Sequence, residues 1–126
     1  MTLVPAIFLG GGLGAVLRYL LSTAVGVRTG DAFPYPTLAV NIIGAIVIGL
    51  LVEGLALKLD LNQQTRAFLI TGVLGGFTTF SAFSLESVML IERGDYAVTV
   101  AYVLASVLGT IGAAWLAMHA MRQILA

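Results

Sequence analysis

The chain has 126 residues, with six Lys and Arg balanced by six Asp and Glu. Apolar residues make up 60% of it and charged residues 10%, where a soluble domain carries about 25% charged residues. So few charges cannot dress a water-facing surface, whereas lipid accepts apolar side chains at no cost, so composition points to a single membrane domain over residues 1–126. The absence of cysteine removes disulfides and thiolate metal sites. With no basic patch, nucleic acid is not an expected partner.

Four apolar stretches follow one another, at residues 3–27, 37–57, 67–91 and 96–125. Each is as long as the roughly 20 residues a helix needs to cross a bilayer. Backbone groups in lipid must be satisfied within their own segment, so these stretches are expected to be helices. No ten-residue alternation of the barrel type is present. No basic region precedes residues 3–9, so they read as the start of a first span rather than a cleaved leader.

Within the first span, Gly10, Gly11, Gly12 and Gly14 offer a surface for close helix packing. Arg18 lies towards the end of that span, where it would snorkel or find a backbone carbonyl. The polar connection Arg28-Thr29-Gly30-Asp31 with Pro34 and Pro36 leads into the second span. There Asn41 needs amide partners, either as helix glue or as a donor to a passing anion. Glu53 is nearer the end of its helix.

The third span contains Gly75-Gly76-Phe77-Thr78-Thr79-Phe80-Ser81. Two glycines followed by two β-branched residues make a poor helix interior, and the helix is expected to break here. The residues alone admit two readings: close packing, or unwound backbone whose carbonyls hold a cation. Phe80 and Phe83 share a helix face, with Ser84 on the same side. Two aromatics in a membrane helix ordinarily face lipid or the core; the alternative is that their ring edges, which carry positive quadrupole charge, face a small anion. Glu86 is the only acid well inside a span, and such acids are functional candidates. In the last span Tyr102, Ser106 and Thr110 step by four, forming one stripe of hydroxyls. Trp115 and His119, towards its end, read as interfacial.

Four spans place both termini on one side. Lys58, Arg66 and Arg122 then flank one face and Arg18, Arg28 and Arg93 the other. A Lys/Arg excess normally sets orientation, and three against three leaves none. Either something subtler sets orientation, or the chain inserts both ways and pairs as an antiparallel dimer.

Taken together, four segments resemble the Fluc (CrcB) family of small fluoride channels over nearly the whole chain. They are Gly10-Gly11-Gly12-Leu13-Gly14-Ala15 with Arg18-Tyr19, then Thr37-Leu38-Ala39-Val40-Asn41-Ile42-Ile43-Gly44, then Thr71-Gly72 with Gly75 to Ser81, and then Phe83-Ser84 with Glu86. The resemblance implies an all-α membrane protein of four transmembrane helices, the third broken mid-membrane, assembled as an antiparallel dual-topology dimer. It implies two fluoride pathways and a central structural Na⁺ held by backbone carbonyls, which by position are those of Gly75 and Thr78. It implies that Phe80 and Phe83 line the pathways with Asn41 as a nearby donor, and that Tyr102 and Thr110 occupy polar pathway positions. Ser84 and Ser106 join them as pathway candidates, and Arg18 and Glu86 as structural or gating candidates.

The implied role is passive fluoride export across the inner (plasma) membrane of a prokaryote, with no enzymatic activity. Pro36, Ala82 and Ala114 depart from the family pattern. Pro36 sits where the first turn of a helix tolerates it, whereas the two alanines each remove a hydroxyl. Competing readings are a proton-coupled exporter using Glu86 and a non-transporting scaffold subunit. A small multidrug-type transporter would need a carboxylate in its first span, which contains none.

Overall fold

The apolar stretches do become helices in the computed structural model, which describes residues 3–126. In chain order they are α1 (Leu3–Thr29), α2 (Tyr35–Leu57), α3 (Gln63–Arg66), a π-helical segment (Ala67–Leu74), α4 (Gly75–Phe77), α5 (Phe80–Glu92) and α6 (Tyr96–Leu125). From α3 to α5 the chain forms one compound span, Gln63–Glu92, so among the described residues four helices are long and apolar enough to cross a membrane.

The connections are short and carry recognisable stops and starts. Gly30 and Gly94 take positive φ, 70° and 79°, just after α1 and α5. That left-handed turn closes a helix and is cheap only for glycine. Asn62 caps the third span by accepting the Thr65 N–H at 2.8 Å. Pro36 falls in the first turn of α2, as expected from its lack of an N–H.

Packing is built on small residues. The π-helical segment lies against α1, and a Cβ on Gly10 or Gly14 would run into the backbone of Phe68 or Val73. A Cβ on Gly76 would likewise meet the backbone of Gly11. The glycines therefore let two backbones touch. α2 and α6 share the largest interface. There Gly49 faces the Ala114 carbonyl, 2.6 Å from where a Cβ would stand.

The third span changes partners along its length. Its first half contacts α1, whereas α5 contacts α6 and α2 and not α1. The change of partner coincides with the break.

At the far end of the α2–α6 interface, Arg122 grips the buried Glu53 with two bonds, Nε to Oε1 at 2.9 Å and Nη2 to Oε2 at 3.1 Å. Removing one partner strands the other, while removing both can be nearly neutral. Arg122→Met is therefore expected to lower the thermal unfolding midpoint in detergent more than the Glu53→Met/Arg122→Met double variant does. A double variant less stable than the single would show that the pair is not what holds this end together.

Candidate functional site

The break sits two residues later than the glycine pair. Gly75, Gly76 and Phe77 remain helical, with Gly75 at φ −63°, ψ −38°. Thr78 (φ −82°, ψ 158°) and Thr79 (φ −153°, ψ 119°) are the extended residues. The break expected within Gly75 to Ser81 is present, and it falls at the two threonines. Gly76 is needed for contact with α1, and the β-branched threonines are the residues that favour extended backbone.

Extended backbone inside a membrane needs partners. Asn41 on α2 supplies them: its Oδ1 accepts the Thr79 N–H at 2.8 Å and its Nδ2 donates to the Thr79 carbonyl at 2.9 Å. The side chain thus mimics a strand partner for one residue. Thr78 closes the preceding helix, its N–H and hydroxyl both donating to the Leu74 carbonyl, at 3.0 and 2.9 Å. Thr79 opens the next, its hydroxyl oxygen accepting the Ala82 N–H at 3.2 Å. The Thr78 methyl lies where a Cβ on Gly44 would be, so Gly44 makes room for the break.

Where the third span leaves α1 for α6, a cleft of about 380 Å³ opens between α2, the break and α6. It brings together Asn41, Gly75, Thr78, Phe80, Phe83, Ser106 and Thr110. These come from three spans, and all were candidates from sequence. Phe80 is 77% exposed, so this side of the site faces outward from the chain. One N–H of Asn41 remains beyond its bond to Thr79. Thr110 donates its hydroxyl to the Ser106 carbonyl at 2.6 Å.

Two groups of carbonyl oxygen at this cleft suit a hard cation. The amide that would cap the Gly75 carbonyl in a continuous helix, that of Thr79, is turned to Asn41 instead. The Thr78 carbonyl belongs to extended backbone outside a helical ladder. A Cβ on Gly75 would have only the Ile70 carbonyl near it, at 3.8 Å, so this face of the backbone is open.

Glu86 lies away from this cleft. Its carboxylate accepts the Thr37 hydroxyl at 2.7 Å and the Tyr102 hydroxyl at 2.6 Å. It lines a second cleft of about 410 Å³ at the α1–α2 connection, with Phe33, Asp31 and Arg93. Tyr102 is fully buried between the two clefts. Ser84 lines neither cleft and donates to the Phe80 carbonyl at 3.0 Å. Arg18 is also absent from both, and with α1 running to Thr29 it stands near the middle of the helix rather than close to its end.

Thr37, Thr79 and Gly44 were not singled out by sequence for these roles. Thr37 and Asn41 are four apart, so one face of α2 serves both Glu86 and the break. That spacing was a signal available in the sequence. Phe33, in a connection, offered none.

The sequence pattern of the family described as CrcB-like protein, Camphor Resistance (CrcB) matches residues 5–118. The chain is 51% identical over 117 residues to a protein named fluoride-specific ion channel FluC from Chelativorans sp. (strain BNC1), covering 93% of this chain and 94% of that one. Proteins of the same name from Rhodopseudomonas palustris (strain BisB5) and Granulibacter bethesdensis (strain ATCC BAA-1260 / CGDNIH1) are 45% and 46% identical. The alignments cover 94% of this chain in each case, and 95% and 94% of those proteins. Four apolar spans, a third span broken at Thr78-Thr79 and a match over most of the length agree: the chain belongs to the CrcB family.

Proposed function

We propose that this protein is a fluoride-selective channel of a prokaryotic inner membrane, passing fluoride passively and so lowering its concentration in the cytoplasm. The observation that carries the reading is the cleft at the break, where two phenylalanine rings, an amide and hydroxyl side chains meet inside a membrane span. Fluoride is small and strongly hydrated, so a dry path must replace its water with several weak donors. Conduction also requires that no single site hold it too tightly. Ring edges and the remaining Asn41 N–H meet both needs with no Lys, Arg or His side chain lining the cleft. The names of the relatives support the same substrate.

The cleft opens outward, and a second copy in antiparallel orientation is the partner that would close it. The balanced Lys and Arg distribution supports insertion both ways. Such a pair would bring two sets of Gly75 and Thr78 carbonyls together, and these would hold a structural Na⁺. When bound, that ion supplies fixed positive charge at the dimer centre. Asn41 contributes by freeing the Gly75 carbonyl, and Gly44 by admitting Thr78.

Purified protein in liposomes is expected to release fluoride down its gradient and chloride hardly at all. Equal fluoride and chloride flux, or neither, would refute the channel. Phe80→Ile is expected to slow fluoride release at least about tenfold, since it removes a ring edge from the cleft. An exporter driven through Glu86 would instead give a flux that follows the pH gradient and stops in Glu86→Gln.

A further inference from the structure

Five aromatic rings from three separate parts of the chain form one continuous line. Phe80 and Phe83 have ring centroids 5.4 Å apart, Phe83 and Tyr102 5.2 Å, Tyr102 and Phe33 5.5 Å, and Phe33 and Tyr35 4.6 Å. These separations lie within the range of favourable aromatic pairs. The Phe33–Tyr102 contact is edge to face, at 84°. The line starts at the break and ends at the α1–α2 connection.

The line touches both clefts. Phe80 and Phe83 line the one at the break, and Phe33 lines the one that holds Glu86. Tyr102, 0% exposed, stands between them and donates its hydroxyl to Glu86 at 2.6 Å. The wall separating the clefts is therefore Phe83, Tyr102 and Phe33. Phe33 is held firmly for a loop residue, since Gly30 ends one helix and Pro34 begins the next only a few residues apart. Without its ring, Tyr102 keeps Phe83 on one side and faces the second cleft on the other. Asp31 and Arg93 also line that cleft, and Arg93 leans on Asp95 at 3.5 Å.

We propose that Phe33 is a specificity-determining residue of the ion path, carrying the line of rings out from the break and fixing Tyr102 against Glu86. This rests on the reading that Phe83 and Tyr102 border the fluoride path. In that arrangement an ion leaving the inner cleft meets the Phe33 ring, the fourth of the line, before it reaches the membrane face. The same ring keeps larger anions from entering by the second cleft.

The test compares Phe33→Leu, Phe33→Trp and Phe83→Ile in liposomes, reading fluoride efflux and the fluoride-to-chloride ratio. Phe33→Leu is expected to slow fluoride efflux about fivefold and lower the ratio, while Phe33→Trp stays within about twofold of the parent. Should Phe33→Leu fail to assemble, Phe33→Met, of similar bulk but without a ring, stands in with the same expectation. Unchanged efflux and ratio in the folded Leu or Met variant overturn the inference, as does a Trp variant that loses as much as Leu. Phe83→Ile separates the two levels of the argument. If it abolishes efflux while Phe33→Leu changes nothing, only the role of Phe33 falls. If it too leaves efflux intact, the path itself is misplaced.

Discussion

Asn41→Leu is expected to cut fluoride efflux by at least about a hundredfold while the protein still inserts as four helices. Leucine keeps the bulk of the side chain and removes both bonds to Thr79. A buried backbone group left unpaired costs about 1–3 kcal/mol, and here there are two. The chain can relieve that cost only by finding new partners, and the nearest available to the Thr79 N–H is the Gly75 carbonyl in continuous helix. Converting two extended residues to helix shortens the span by about 3–4 Å, since rise per residue falls from about 3.3 to 1.5 Å. α5 would then shift and turn as a body, taking Phe80 and Phe83 from the cleft and Glu86 from its two hydroxyls. Liposome efflux, with helix content read by circular dichroism on the same preparation, checks it. Efflux within tenfold of the parent at unchanged helix content would mean that the break stands without Asn41.

Gly14→Ala is the second large effect, and it acts on assembly of the fold. A methyl group there would stand 2.8 Å from the Phe77 nitrogen and 2.9 Å from the Val73 carbonyl carbon, and closer still to the Val73 oxygen. All three are backbone atoms of the third span, so no side chain can turn aside. Overpacking of this kind costs about 1–3 kcal/mol. It also pushes α1 away from the segment that leads into the break. The same substitution at Gly12, which has nothing within 4 Å of the added methyl, is expected to leave stability unchanged or raise it slightly. Thermal unfolding of the two variants in one detergent gives the comparison. Equal midpoints for Gly14→Ala and Gly12→Ala would show that the α1 contact is looser than its backbone geometry implies.

Both effects come from the same design. The third span needs α1 for its first half and α6 for its second, and small residues plus one amide make the change of partner possible. Helix propensity located the weak stretch but not the residue at which it gives way. Gly75 and Gly76 are the poorest helix formers in the run, yet both stay helical, and the contact of Gly76 with Gly11 on α1 uses its missing side chain. Thr78 and Thr79 open because Asn41, 38 residues away in sequence from Thr79, offers a better set of partners than the helix does. Seven of the site candidates read from sequence share the cleft at the break. Ser84 is spent on its own helix, and Glu86 and Tyr102 pair with each other nearer the membrane face.

The number of spans, their order, the position of the weak third helix to within a few residues and the resemblance to the CrcB family all follow from the sequence by itself. Apolar length, the scarcity of charge and local propensity are properties of neighbours along the chain, and lipid leaves helix as the available answer. Only the tertiary structure decided that the break falls at Thr78-Thr79, that Thr37 and Tyr102 hold Glu86, and that Phe33 joins a line of rings begun at Phe80. Each of these depends on bringing together residues tens of positions apart, where the deciding term is the pairing of a polar group or a ring that has no water to turn to. Local periodicity carries no record of such a pairing until the helices have packed.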